Sequence, residues 1–258
     1  LMSIAMFSLT GSRGFCSSGN GTILATSDGG GSWSTQFAPT GDDLRGVSFV
    51  DDKNGWAVGG DCILHTDNGG KSWTKTIWLG AGSVRLKAVS FYDANDGMVV
   101  GSDAGNGGYG VCVILVTHNG GLSWTDYGAS VPTDHALGFN SVAYVDSDHA
   151  WGTNHGVVWG TADGGQTWAP ESYVHPYPAP TYPYYRVWFN SVTFENSQDG
   201  WAVGEAIGVS NPDWTTSCTT IFATTNGGAT WTRQAQGSTT GYLNAVSFTD
   251  ASRGWAVG

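Results

Sequence analysis

Residues 66–73, TDNGGKSW, place Gly-Gly-Lys-Ser where a phosphate-binding loop would carry its lysine and hydroxyl. Such a loop also needs a glycine five residues before its Gly-Lys pair, and that position is His65. The stretch is also not unique. The pattern Thr-x-(Asp/Asn)-Gly-Gly-x-(Ser/Thr)-Trp returns at 26–33, 117–124, 161–168 and 224–231, where the slot of Lys71 holds Gly31, Leu122, Gln166 and Ala229. A side chain that performs chemistry does not occupy the one variable slot of a repeated motif, so the motif reads as architecture. Its polar anchors are Asp28, Asn68, Asn119, Asp163 and Asn226, and its aromatic anchors are Trp33, Trp73, Trp124, Trp168 and Trp231.

Other reactive patterns are equally thin. GNGGYG at 105–110 fits Gly-x-Gly-x-x-Gly, but no helix pattern follows it. The histidines lack HExxH spacing, and there is no Gly-x-Ser-x-Gly elbow. Cys16, Cys62, Cys112 and Cys218 form no CxxC pair, so no zinc site is expected; two disulfides and buried free thiols both remain open. NGT at 20–22 is a glycosylation sequon by pattern. Hydrolysis of a glycoside requires two carboxylates across a cleft. Asp61, Asp103, Asp126, Asp134, Glu171, Glu205 and Asp213 are available, and nothing marks a pair among them.

The elements that position these residues follow from a second repeat. LRGVSFVDDKNGWAVGG (44–60), LKAVSFYDANDGMVVG (86–101), FNSVAYVDSDHAWGTN (139–154), FNSVTFENSQDGWAVG (189–204) and LNAVSFTDASRGWAVG (243–258) each precede or follow a Gly-Gly motif, and a degraded copy opens the chain at 3–19. Each unit reads as four strands. Strand A is the alternating Val-x-Phe stretch and strand B the GWAVG stretch. Strand C ends in the Thr of the Gly-Gly motif and strand D starts at its Trp. Asp-Gly and Asn-Gly supply the positive φ angles of a tight hairpin. Four-stranded units of this length, repeated, predict an all-β β-propeller: five complete units and a partial sixth in one domain over 1–258. The chain stops after strand B of the sixth unit, which predicts a fragment of a six- to eight-bladed ring, seven by preference, or an outer edge capped by a partner or larger complex.

Composition agrees. Glycine is abundant, at 40 residues, and there are 13 tryptophans. No segment shows helical apolar periodicity. A net charge of −11 argues against nucleic-acid binding. No apolar run reaches the length of a membrane span, and the opening LMSIAMFSL lacks the basic region of a signal peptide.

The A–B and C–D turns of such a unit share one side, and the B–C and D–A connections share the other. All large length variation falls in the second group, so binding is assigned there. Once the tryptophans at repeat positions and Trp159, read as core within a C strand, are set aside, Trp78, Trp188 and Trp214 remain, all on that side, with Tyr109, Tyr184 and Tyr242 among the tyrosines. Such aromatics stack on sugars or anchor protein partners, or fold back over their own sheet. The residue two before each strand A Val is Arg45, Lys87, Asn140, Asn190 or Asn244, with Arg85 and Arg186 nearby. These either ring a binding surface or hydrogen-bond neighbouring units.

The Thr-x-Asp/Asn-Gly-Gly-x-Ser/Thr-Trp element resembles the Asp-box, or BNR repeat, of sialidase-type propellers. Coupled to GWAVG, it looks most like the photosystem II stability/assembly factor family. That resemblance implies a non-enzymatic, extracytoplasmic module holding a protein segment or glycan, without a cofactor. In that family a basic patch is thought to engage a reaction-centre polypeptide; Arg45 and Lys87 match its character, and three Asn depart from it. The alternative is a carbohydrate-active enzyme or lectin. A sialidase is disfavoured because no Arg-Ile-Pro motif occurs.

Overall fold

The computed structural model describes residues 3–7, 13–77, 83–103, 111–131, 138–154, 156–173, 186–207, 217–236 and 241–258. The chain divides into two compact units, Leu1–Phe139 and Asn140–Gly258.

The first unit holds three four-stranded sheets, each antiparallel and in simple sequence order. They are β1 (Ser3–Phe7), β2 (Arg13–Ser18), β3 (Thr22–Thr26) and β4 (Ser34–Gln36); β5 (Gly46–Phe49), β6 (Gly55–Gly59), β7 (Cys62–Thr66) and β8 (Thr74–Ile77); and β9 (Val84–Phe91), β10 (Asp96–Asp103), β11 (Val111–His118) and β12 (Thr125–Asp126). A 3-10 turn, Gly128–Ser130, follows β12. The second unit holds two sheets of the same order and a strand pair. These are β13 (Ser141–Tyr144), β14 (Ala150–Asn154), β15 (Val157–Thr161) and β16 (Ala169–Tyr173); β17 (Arg186–Phe194), β18 (Gly200–Ile207), β19 (Ser217–Thr224) and β20 (Thr232–Gln236); and β21 (Ala245–Asp250) with β22 (Arg253–Val257). Strands A to D of each repeat are thus four consecutive strands, as the pattern predicts.

Burial follows position in the sheet. β6 and β14 are buried at every residue, and β11 at all but its two ends; each lies between two hydrogen-bonded neighbours inside its own sheet. The D strands are short and polar, β12 having two residues and β4 three. A short polar edge offers little to a passing strand.

Sheets within a unit are joined by one aromatic device. The strand B aromatic of one sheet stacks on the strand A Phe of the next: Phe15 on Phe49 at 3.8 Å and Trp56 on Phe91 at 3.5 Å in the first unit, Trp151 on Phe194 at 3.7 Å and Trp201 on Phe248 at 3.6 Å in the second. That Phe meets the Gly-Gly-motif Trp of its own sheet edge-on, at interplanar angles of 88°, 89° and 90° for Phe49–Trp73, Phe91–Trp124 and Phe194–Trp231. Each aromatic contact contributes about 0.5–1.5 kcal/mol beyond the area it buries. The glycine that opens strand B, before Trp56 in one sheet and Met98 in the next, has a steric reason. A Cβ at Gly55 would lie 2.4 Å from the Phe49 ring, and one at Gly97 2.3 Å from the Phe91 ring. Trp56 Nε1 donates to Gly120 O at 3.0 Å and Trp151 Nε1 to Gly227 O at 2.9 Å. The buried indole of one sheet is therefore satisfied by the tight hairpin of the next.

Candidate functional site

The five Gly-Gly hairpins are built identically. The strand C Thr hydroxyl accepts the N–H of the second glycine at 2.9 Å in Thr26, Thr66 and Thr117 and 3.0 Å in Thr161 and Thr224. The Asp or Asn side-chain oxygen accepts the N–H of the following Ser or Thr, at 2.8 Å for Asp28 and 3.0 Å for Asn68. Both glycines hold positive φ, 70° and 79° at Gly69 and Gly70, which a side chain would strain. Asp and Asn are interchangeable because the hydroxyl rotates. Ser32 and Thr167 donate to Asp28 and Asp163 at 2.6 Å, whereas Asn68 and Asn119 donate to Ser72 and Ser123 at 2.7 and 2.8 Å. The Ser32 hydroxyl and N–H hold the Asp28 carboxyl down, at about 2. Ser72 is thus engaged by its own hairpin and Lys71 points to solvent. The hairpin turns the chain.

The hairpins also fix which turns share an end. The first glycine N–H donates to a carbonyl of the A–B turn of its own sheet: Gly69 to Lys53 at 2.9 Å, Gly120 to Asn95 at 2.8 Å, Gly164 to Asp148 at 2.9 Å and Gly227 to Gln198 at 2.9 Å. In each of these four sheets the A–B turn and the Gly-Gly hairpin lie together, so the B–C and D–A connections leave from the other end. The division made from loop lengths is the observed one.

At that other end strand A of every sheet after the first carries an irregular step near its start. Arg45, Asn140 and Asn244 donate their N–H to Val58, Thr153 and Val257 O at 2.7 Å, ahead of the ladder proper. Lys87 is skipped in the β9–β10 register, between Leu86↔Gly101 and Ala88↔Val100. Asn190 is skipped between Phe189↔Gly204 and Ser191↔Val203. A bulge of this kind re-aims one side chain. The glycine closing GWAVG permits it, since a Cβ at Gly59 would lie 2.0 Å from Asp43 O and one at Gly101 2.3 Å from Arg85 O.

In the first unit these steps gather cations. Arg45 and Arg85 are exposed and Lys87 is part-buried. The Gly46 position abuts Ala88, 3.0 Å from an ideal Cβ to its Cα, which sets the starts of β5 and β9 side by side. Burial holds the Lys87 amine below its ordinary value, the Arg45 and Arg85 charges push the same way, and Cys112 opposes them. The neighbouring Cys112 thiol is pushed up to about 12 by burial. Cys16, Cys62 and Cys112 are buried free thiols, which settles the open choice for those three. At the same end Lys75 Nζ reaches Thr40 Oγ1 at 3.4 Å and Asp42 Oδ2 at 3.3 Å.

In the second unit the equivalent positions are neutral. Asn190 Nδ2 donates to Leu243 O of the next sheet at 2.8 Å, so this residue hydrogen-bonds the neighbouring unit of the repeat. Two positions earlier stand Trp188, 40% exposed, and Tyr242, 54% exposed. Trp159 is core, its Nε1 donating to Asn154 Oδ1 at 3.0 Å. Trp78, Tyr109, Tyr184 and Trp214 lie outside the described residues, as does the side chain of Arg186. Among the described residues no group of three His, Cys, Asp or Glu could hold a metal ion, and no helix is long and apolar enough to cross a membrane.

Five four-stranded sheets, Asp-box hairpins at one end and loops at the other define an Asp-box β-propeller. Within that class the chain is similar to the photosystem II stability/assembly factors. Residues 1–81 match the family model described as photosynthesis system II assembly factor YCF48. Over 134 residues the chain is 32% identical to the rice (Oryza sativa subsp. japonica) photosystem II stability/assembly factor HCF136, chloroplastic. That match covers 48% of the chain and 29% of the relative's length. Among solved structures, YCF48 bound to D1 peptide superposes with a TM-score of 0.59 at 15% identity, over 99% of this chain and 89% of that one. YCF48 from Cyanidioschyzon merolae gives 0.60 at 18% identity, over 99% and 92%. A GH74 xyloglucanase from Xanthomonas campestris gives 0.66 at 14% identity, over 95% and 42%. At these identities the structural likenesses establish the fold, which propellers of very different activity share.

Proposed function

We propose that the chain is a non-enzymatic binding propeller of the assembly-factor type, holding a polypeptide segment against the loop end of its sheets. The observation that carries this reading is the grouping of Arg45, Arg85 and Lys87 at adjacent strand starts in a chain of net charge −11. A local cationic surface on an acidic protein selects an anionic group, here carboxylates of the bound segment, and long-range repulsion discourages other acidic partners. The relative solved with a D1 peptide and the sequence match to HCF136 support a protein ligand. The chloroplastic relative supports a site of action outside the cytoplasm.

The test is calorimetric titration with an acidic-ended peptide and its amidated, carboxylate-free counterpart. Binding of the acidic form is expected to weaken with salt. Arg45→Gln with Arg85→Gln should weaken it by about tenfold or more, as loss of charge-assisted hydrogen bonds implies. Equal binding of both peptides, insensitive to the two substitutions, would sink the reading.

A second reading, a glycan held on the same end, has Trp188 and Tyr242 in its favour. It predicts glycan-array binding that Trp188→Ala abolishes, and release of reducing sugar if the chain is also a hydrolase.

A further inference from the structure

Strand D carries one residue in a set place, three after the box Trp: Gln36, Thr76, Tyr127, Glu171 and Gln234. In the first unit the Gln36 amide crosses to the next sheet. It lies over Gly70, where it leaves no room for a Cβ, and its Oε1 accepts Trp73 Nε1 at 3.4 Å. In the second unit the same place holds a carboxyl, Glu171 of β16. Its stem also crosses to the next sheet: an ideal Cβ at Gly228, in the following box, would lie 3.3 Å from Glu171 Cγ and 3.4 Å from Trp151 Nε1. The carboxyl end turns back over Gly160 of β15, with Cδ 2.8 Å from an ideal Cβ there. Among the described residues no hydrogen bond or ion pair holds it. Trp231 Nε1, the counterpart of the indole that Gln36 serves, is buried without a partner. In the boxes of Gly30 and Gly121 the second glycine lies against its own Trp, an ideal Cβ being 3.8 Å from Trp33 Nε1 and 3.2 Å from Trp124 Cζ2. By the same construction Gly228 sets Glu171 beside Trp231.

The elements around Glu171 bring few charges. β14, β15 and the hairpin 225–230 carry none. The turn before β14 brings Asp146, Asp148 and His149; His149 Nδ1 is held by Asp146 at 2.9 Å and its ring stacks on Trp151 at 6.2 Å. The box after β15 brings Asp163, the turn before β18 brings Glu195 and Asp199, and β20 brings Arg233. Burial, and none of these charges, raises the Glu171 carboxyl above its ordinary value. We propose that Glu171 is a proton-operated latch between the sheets β13–β16 and β17–β20. Protonated, it is the isostere of Gln36, and its carbonyl oxygen accepts the Trp231 N–H across the joint. Ionised, it is a half-buried charge without a paired cation, and the joint loosens to let water solvate it. A group whose folded value is raised adds stability that is complete below its unfolded value and is lost as pH rises through the folded one. The joint is therefore tight in acid and looser at neutral pH, opposite in sign to the depressed carboxyl of Asp28.

The indole N–H groups report on the latch directly. In the whole chain labelled with 15N-tryptophan, the Trp231 resonance, assigned with Trp231→Phe, is expected to move with pH, with a midpoint above the 4.5 of an ordinary glutamate. The Trp124 indole, equally buried and unpartnered but preceded by Thr76, should not follow it. Glu171→Gln should abolish the Trp231 titration and hold the resonance at its acid position. The thermal midpoint of that variant should exceed that of the unsubstituted chain at neutral pH, and the gap should close as pH falls towards 4.5. Backbone hydrogen exchange in β16 and 225–230 should be several-fold slower in the variant at neutral pH and equal in acid. A Trp231 resonance that stays still, or that moves alike with Glu171→Gln, would overturn the proposal. So would a variant less stable than the unsubstituted chain at neutral pH, since the ionised carboxylate would then be the better partner. None of these measurements involves a peptide, so their failure leaves the binding reading untouched.

Discussion

The two ends of each sheet are made of the same strands and behave oppositely. At the Asp-box end five hairpins repeat one hydrogen-bond pattern, and substitution of Asp by Asn is absorbed by a rotating hydroxyl. At the loop end the backbone step is also repeated, but the side chain it presents changes from Arg45 and Lys87 in the first unit to Asn140, Asn190 and Asn244 in the second. The repeated step is a mount, and the variable side chain is what it displays. Stability should therefore respond to changes near the aromatic joints and the boxes, and ligand selectivity to changes at the strand A starts.

The sharpest break in that comparison is at the joints. Trp56 has no exposed surface, stacks on Phe91 and donates to Gly120 O. Trp56→Ala removes the packing, leaves a cavity and orphans a carbonyl, which should cost about 3–5 kcal/mol. Trp255 occupies the same repeat position but is 63% exposed, so Trp255→Ala should change stability by under about 0.5 kcal/mol in the isolated chain. Denaturant midpoints of the two variants measure the contrast directly. Equal losses would mean that the joint is not what makes the position matter.

A smaller loss is expected inside a box. Thr161 is buried and its hydroxyl accepts the Gly165 N–H at 3.0 Å. Thr161→Val keeps the shape and leaves that buried donor unsatisfied, a cost of about 1–3 kcal/mol. Binding of the acidic peptide at the far end of the sheets should not change. Gln166→Ala, in the variable slot of the same box, should be silent in both assays; a Gln166→Ala loss comparable to that of Thr161→Val would refute the division into fixed and variable positions.

Much of this was legible in the residues because it rests on local chemistry. Asn-Gly and Asp-Gly dictate the turn, and a Trp at a fixed offset marks the joint. The two ends could be told apart from loop lengths alone. The bulge at Lys87 was not legible as such. Its cause is a glycine in strand B, Gly101, whose missing side chain lets Arg85 O approach, and that pairing spans residues distant in sequence. The Thr40–Asp42–Lys75 contact escaped for the same reason. The aromatic residues divide by location. Trp188 and Tyr242 sit next to strand starts and are placed, whereas Trp78, Tyr109, Tyr184 and Trp214 fall in segments outside the described residues.

The smallest effect separates two kinds of box. Asp28 is held at about 2, against an ordinary 3.8, first by the Ser32 hydroxyl and then by backbone and Thr26 bonds. A carboxyl whose folded value is depressed contributes stability that is complete above its unfolded value and is lost as pH falls through the folded one. Its contribution should therefore be present above about pH 4 and disappear towards pH 2. Asn68, Asn119 and Asn226 fill the same position without a titrating group. Asp28→Asn should keep the hairpin geometry and make this box insensitive to acid. Thermal midpoints of the two proteins should thus differ by a constant amount at neutral pH and change relative to each other only in that acid window. The carboxyl is solvent-exposed, so the relative shift should be the smallest of the series. A difference that does not vary with pH would show that the Ser32 hydroxyl serves Asn and Asp equally at every protonation state, and that the box senses no charge.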